Sequence, residues 1–477
     1  MNDWSGSLRH SIATAEAVEV RSPWSGAILG EVPLCDEAVV DQAIRALADG
    51  RSGPGASPEA ALDEALGRAA LILSQRGREV ATLITQEQGK PLQEAMDEVA
   101  VTIGLMESFA RAGYRLGQQF QPLAVEARVD NRFGFTRQRP IGITALFTPN
   151  TFPLLIPAKL LLASLAAGDS VLLKPASATP LSALRLLDIL AEAGVAMNSV
   201  RFLTGPGGIT GQAICRHPMV DQICSQSGTE TLRAIRSGMG PIPLRYLHGG
   251  SGACVVAADA DLNRAVEGLV RQRFENSGQT PLSTGMVFVA KSVADELVEK
   301  LRLALLRFPV GDPLVPTTRI GPLTELSRVT ESVSMIGALI AGGGRLVAGG
   351  ACERSVLAPV LLADVPPRHP ALMTGNGYRE ILAPVIMVTP VDGPLEEVAA
   401  WLDRRTQLVV SVFSKDLDWA TRFASSLPIF NVHVNGLPTW RDGAICSLDA
   451  VRLGRRQVEA RVKEVSTLQD IVFHPEG

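Results

Sequence analysis

The first long segment with a readable pattern is 60–84, within "SPEAALDEALGRAALILSQRGREVATLITQEQGK". Apolar residues recur there at helical spacing, and Gly89 with Pro91 marks the end. These positions predict long surface helices. The rhythm changes at "FGFTRQRPIGITALFTPNTFP", where alternating residues give way to Pro140 and Gly142 and then to an apolar run, 143–147, before a turn at Pro149. That predicts a hairpin feeding a buried strand. Beyond it come a helix over "LLIPAKLLLASLAAG", a strand at 170–174, a helix at 181–193 and a strand at 200–203. A helix after Gly208, a strand near 220–224, a helix at 229–237 and a strand near 244–247 continue the series. Such alternation specifies a parallel, doubly wound sheet, whose ligands bind in the crevice beyond the carboxyl ends of the strands. A second α/β series opens at "ACVVAADADL", passes through a strand at 286–290 and a helix at 294–306, and reaches "SVFS" and "VHVNG". It reads as a separate lobe. "EVSTLQDIVF", far along the chain, alternates like a strand and with 133–139 predicts a projecting flap.

A chain of 477 residues exceeds one ordinary core, so two or three lobes are expected. With 46% hydrophobic and 20% charged residues it fills such cores without the signature of disorder or of a membrane protein. The net charge is −4 and there is no Lys/Arg block, so small molecules are expected as ligands, and neither nucleic acid nor membrane lipid. Six cysteines with no C-x-x-C pair argue against a metal site or a disulfide framework, and the N-terminus has no apolar h-region; a cytoplasmic location is expected.

Several candidate ligand residues follow strands. Thr148 opens one turn. Lys174 ends a strand that Pro175 stops from continuing, so its ammonium can reach the crevice or, equally, be a solvated surface lysine. "TGPGGITG", with Gly205, Gly207, Gly208 and Gly211 before a helix, lets backbone approach a phosphate, although the spacing is not that of a dinucleotide fingerprint. "SGTE", with Gly228 and Thr229, starts another helix; Thr229 is the natural N-cap, and capping alone would explain it.

Taken in order, "EQGKP" (87–91), "LFTPNTFPLLIPA" (146–158), "LAAGDSVLLKPASATP" (165–180), "ADADL" (258–262), "IGPL" (320–323), "EILAPV" (380–385) and "VHVNG" (432–436) resemble the aldehyde dehydrogenase superfamily over nearly the whole chain. The resemblance implies an α/β fold with three parts. These are a Rossmann-type parallel-sheet nucleotide-binding domain (1–122 and 141–248), an α/β catalytic-type domain (249–445) and a small β oligomerisation flap (123–140 and 463–477). It also implies a homodimer or homotetramer, and NADP or NAD as cofactor. Lys174 matches the lysine on the adenosine ribose and Glu380 the glutamate on the nicotinamide ribose. Gly207 and the turn at Gly228 and Thr229 match the pyrophosphate-binding helix starts. Ser177 stands where NAD-preferring members carry an acid, which implies tolerance of a 2′-phosphate and a slight preference for NADP.

The same resemblance marks what differs. In "FENSGQTPLSTG", Asn276, Gly278 and Gln279 fit the family's nucleophile loop, but the cysteine position is Pro281, which offers neither a thiolate nor a backbone N–H. The general-base position falls on Leu247 and the oxyanion asparagine's on Thr151, next to Asn150. The expectation is a catalytically silent homologue that binds a dinucleotide and serves as a structural or regulatory subunit, with a further protein as a possible partner. The alternative is an active oxidoreductase or acyl-transfer enzyme with a relocated nucleophile. That group is either Cys446, in the altered segment "AICSLDAV", or Ser283 with His248 as its base. A third reading leaves only the oligomerisation surface in use.

Overall fold

The periodic stretch near the start folds as two helices, Glu59–Gln75 and Gly77–Gln88, instead of one run. Arg76 leaves helical geometry (φ −102°, ψ 12°), and the second helix ends on Gly89 in the left-handed region (φ 89°), its N–H returning to the Thr85 carbonyl. A third helix, Leu92–Ala112, follows at once. The computed structural model describes residues 16–50, 59–112, 118–119, 133–248, 250–280, 283–374, 377–379, 381–402, 407–429, 431–440 and 462–473.

Five parallel strands form the first sheet in the order Val200–Phe202, Ser170–Lys174, Ile143–Phe147, Gln222–Ser227, Leu244–His248. The two central strands Ile143–Phe147 and Ser170–Lys174 are buried along their whole length, which is why they read as continuous apolar runs. One face packs against Glu59–Gln75, Gly77–Gln88, Leu92–Ala112, Leu155–Ala166 and Leu181–Glu192. The other packs against Glu37–Asp49 and Gln212–Arg216. The chain order reverses between Ile143–Phe147 and Gln222–Ser227, so the crevice opens beside the carboxyl end of Ile143–Phe147.

The second lobe is a seven-stranded sheet ordered Arg345–Ala348, Val360–Ala363, Val385–Val391, Thr284–Ala290, Ser251–Val256, Gln407–Phe413, Asn431–Val434. Arg345–Ala348, at one edge, is antiparallel to its neighbour, and every other pair is parallel. Phe133–Pro140 is not half of a local hairpin. It pairs antiparallel with Ser466–Phe473, from Phe133↔Phe473 to Pro140↔Ser466, and on its other side with Gln118–Gln119. Local alternation announced both strands of this flap, and they pair across more than 300 residues of sequence.

Among the described residues no helix is long and apolar enough to cross a membrane, and no group of His, Cys, Asp and Glu side chains could hold a metal ion.

Candidate active site

At the crevice, Thr148 is the first residue past its strand, and its N–H donates to the Lys174 carbonyl at 3.2 Å. Its hydroxyl is buried with no hydrogen-bond partner among the described residues. Lys174 is 6% exposed, and its ammonium donates to the Pro175 carbonyl at 3.3 Å. Burial pushes this ammonium down to about 8, because the charged form has lost most of its water. Gly211 lies directly against it, since a Cβ added there would sit 3.8 Å from the Lys174 Cε.

The glycine turn forms a π-helical start, Gly207–Gly211, that runs into Gln212–Arg216. A Cβ at Gly207, Gly208 or Gly228 would meet nothing within 4 Å, so these exposed backbones border open space. Ser177 donates its hydroxyl to the Gly205 carbonyl at 2.9 Å and so ties the loop after Lys174 to the glycine turn. The helix Thr229–Gly238 begins one residue earlier than the capping pattern indicates: Gly228 occupies the N-cap, with Thr229 already helical.

Facing this crevice is the loop 274–280. Asn276 (φ 53°, ψ 39°) and Ser277 (φ 54°, ψ 33°) are both left-handed, and Gly278 follows at φ 77°. Glycine is required there, since a Cβ would lie 2.3 Å from the Ala383 carbonyl carbon. Gln279 braces the turn. Its Oε1 accepts from the Thr324 N–H at 2.9 Å, and its Nε2 donates to the Asn276 carbonyl at 3.1 Å. Ser277 and Gly321 bond reciprocally, at 3.1 and 2.9 Å.

Thr151 is 5% exposed. Its carbonyl accepts two hydrogen bonds, from Lys90 Nζ at 3.0 Å and from Asn276 Nδ2 at 3.0 Å. Its hydroxyl, and the side-chain oxygen of Asn276, have no partner among the described residues. Asn150 is half-buried beside it. Ser283 is buried and its hydroxyl accepts from the Arg273 guanidinium, which also donates to the carbonyls of Val385, Ile381 and Ala383. Pro281, Glu380 and Cys446 lie outside the described residues, as do the side chains of Leu247, His248 and Thr229.

The sequence reading assigned no role to Lys90, Glu94, Glu98 or Arg273, all of which the fold buries at or behind the loop. A signal for two of them exists: Glu94 and Glu98 stand four apart on a helix whose same face continues to buried Thr102.

The geometry has the form of a dinucleotide crevice facing a strained loop from a second lobe. The profile described as "Aldehyde dehydrogenase family" matches residues 11–447. The chain belongs to the aldehyde dehydrogenase family. It is 31% identical to the NADP-dependent succinate-semialdehyde dehydrogenase of Escherichia coli over 88% of this chain and 86% of that one. It is 27% identical to the lactaldehyde dehydrogenase of Methanococcus aeolicus over 96% and 97%. Among solved structures, an NADP-dependent enzyme of Escherichia coli superposes with a TM-score of 0.85 at 26% identity, covering 99% of each chain. An aldehyde dehydrogenase-family NAD(P) fits the residues present. The orphaned Thr148 hydroxyl, the buried Lys174 cation and the open glycine backbones offer a donor, a charge and room for close approach to a phosphate-bearing ligand.

Within the family frame, the described thiols near this site are poor nucleophiles. Burial pushes Cys215 up to about 11 and Cys224 up to about 12, and raises Cys35 and Cys254 as well.

Proposed function

We propose that this chain binds NADP or NAD in the crevice beside Ile143–Phe147 and acts there as an oxidoreductase on an aldehyde, with its acyl-carrying group drawn from outside position 281. The observation that carries the reading is Lys174: a buried lysine whose ammonium donates to the Pro175 carbonyl at 3.3 Å, beside a glycine turn that borders open space. A charge held in that way is stabilised by an anionic or polyhydroxyl ligand. The dinucleotide, when bound, supplies the hydride acceptor. Lys174 and Thr148 would hold its ribose, and the amides at Gly207, Gly228 and Thr229 its phosphates. Ser177, which carries no charge, would tolerate a 2′-phosphate, and Glu380 would take the second ribose.

Thr151 would turn its hydroxyl to the carbonyl. Cys446 is the candidate thiol. Ser283 is the second candidate: its hydroxyl accepts from the Arg273 guanidinium, and its base would be His248. The names of relatives that are semialdehyde and lactaldehyde dehydrogenases support an oxidoreductase reading. A homodimer or homotetramer built on the sheet of Phe133–Pro140 and Ser466–Phe473 belongs to the same proposal.

The second reading is a silent dinucleotide-binding subunit. It is favoured by Pro281, Leu247 and Thr151, which stand where the resemblance puts nucleophile, base and oxyanion donor. A general base is worth about 10²–10⁴ in rate, so the first reading expects slow turnover and the second expects none. The assay is NADPH and NADH formation from succinate semialdehyde, glutarate semialdehyde and lactaldehyde, comparing the natural protein with Cys446→Ala and Ser283→Ala. Turnover lost in Cys446→Ala supports the relocated thiol. No turnover in the natural protein, with dinucleotide binding intact, supports the silent subunit.

A further inference from the structure

The segment 87–98, "EQGKPLQEAMDE", crosses the boundary between the two lobes, and nearly every side chain that bonds there is buried. Gln88 exchanges hydrogen bonds with Thr324, its Nε2 donating at 3.1 Å and its carbonyl accepting at 2.9 Å. Gly89 presses on Pro322, and Gly321 on the Gly89 carbonyl, so closely that a Cβ on either would lie 2.7 or 2.4 Å from the other segment. Leu92 donates its N–H to the Pro313 carbonyl at 2.9 Å.

Three charged residues then converge on the site. Lys90, 1% exposed, pairs with Glu98 at 2.5 Å, donates to the Thr151 carbonyl and lies 4.0 Å over the Phe152 ring. Glu98 uses its other oxygen to accept the N–H groups of Leu154 and Leu155, each at 3.0 Å, fixing the start of Leu155–Ala166. Glu94 accepts the N–H of Asn276 at 2.5 Å, and Asn276 in turn donates to the same Thr151 carbonyl.

Such an arrangement is a poor way to gain stability. Burying an ion pair costs roughly what the pairing returns, and two left-handed non-glycine residues add backbone strain. What it does well is fix geometry. The Thr151 carbonyl is a shared anchor: one donor reaches it from the first lobe, another from the second, and the second donor's backbone is held by a carboxylate of the first.

We propose that Lys90, Glu94 and Glu98 are positioning residues that lock Thr151 and Asn276 in one relation across the lobe boundary. The Thr151 hydroxyl is then left as the donor presented to the ligand's carbonyl end, with the Asn276 side-chain oxygen beside it as an acceptor for a donor group. The lock itself is independent of the functional reading; only its purpose, presentation to a carbonyl, rests on it. Every atom of the lock belongs to the chain itself, so its strength is measured on the protein alone.

The test is hydrogen exchange with mass analysis on the full chain, for the natural protein, Glu94→Leu, Glu94→Gln, Lys90→Met and the double variant Lys90→Met/Glu98→Gln. Glu94→Leu and Lys90→Met are expected to speed exchange about tenfold or more in the peptides covering 148–156 and 274–280, as local opening would. Peptides over 184–190 and 287–289 are expected to keep their rates. Glu94→Gln retains an oxygen for the Asn276 N–H and is expected to restore protection, which a general loss of stability would not allow. The double variant no longer strands a buried carboxylate, so it keeps the fold while leaving 148–156 fast. The proposal is overturned if exchange rises evenly over all peptides, if Glu94→Gln behaves like Glu94→Leu, or if Lys90→Met leaves 274–280 unchanged. If NADP fails to bind the natural protein, the functional reading falls while these exchange results stand.

Discussion

Lys174 shows how one residue type in one place carries both energetics and function. Its position was legible, because a strand that ends in Lys-Pro must release its side chain at the carboxyl end of the sheet. Its burial was not legible, because that depends on Gly211 arriving from a separate turn. Its folded-state value of about 8 lies below the ordinary 10.5 of lysine. The unfolded chain therefore binds more protons between those values, and stability rises with pH across that window. Conversely, the strain of the charged form is fully present below pH 8. Relative to Lys174→Met, the natural protein is expected to gain on the order of 3 kcal/mol from pH 8 to 10.5, measured by urea unfolding without ligand. A phosphate-bearing ligand should abolish most of that slope by holding the ammonium charged.

Among the elements, the helix Leu181–Glu192 is started from outside itself. Pro180 occupies its N-cap and offers no side-chain bond, and the first N–H groups are taken by Glu87, whose carboxylate accepts from Leu181, from the Ser182 N–H at 3.0 Å and from the Ser182 hydroxyl at 2.6 Å. The helix itself was plain from its period. The cap was not, because sequence capping signals are local and this acceptor is 94 residues away. The same limit explains the Thr229 correction: local pattern defines an element, while its cap is set by the fold. Complete burial pushes Glu87 up to about 7, above its usual 4.5. The folded state thus holds more protons in that interval, so the stability this group contributes is present below pH 4.5 and is lost as pH rises through 7. Glu87→Gln is expected to remove this part of the pH slope in thermal melts between pH 5 and 8. An unchanged slope would show that Glu87 is not the group that titrates. Glu87→Ala, which leaves two buried N–H groups unpaired, is expected to cost about 2–4 kcal/mol.

For the whole molecule, two α/β lobes meet along a boundary sewn by residues 87–98 and 321–324, with the strained loop on one side and the crevice on the other. Both lobes and the crevice could be read from strand and helix alternation, and the ordered motifs placed the chain in its family, which the match over residues 11–447 bears out. The bonds across the boundary could not be read, because a buried Lys90, Glu94 or Glu98 has the same letter as a solvated one and only three-dimensional packing separates them. The central claim is that the crevice takes a dinucleotide through Lys174. The most direct measurement is isothermal titration of NADPH into the natural protein and into Lys174→Met. The account predicts saturable binding of one NADPH per chain, weakened about tenfold or more by the substitution, or about 1.4 kcal/mol, with folding intact. Absence of saturable binding in the natural protein, or equal affinity in Lys174→Met, would contradict it.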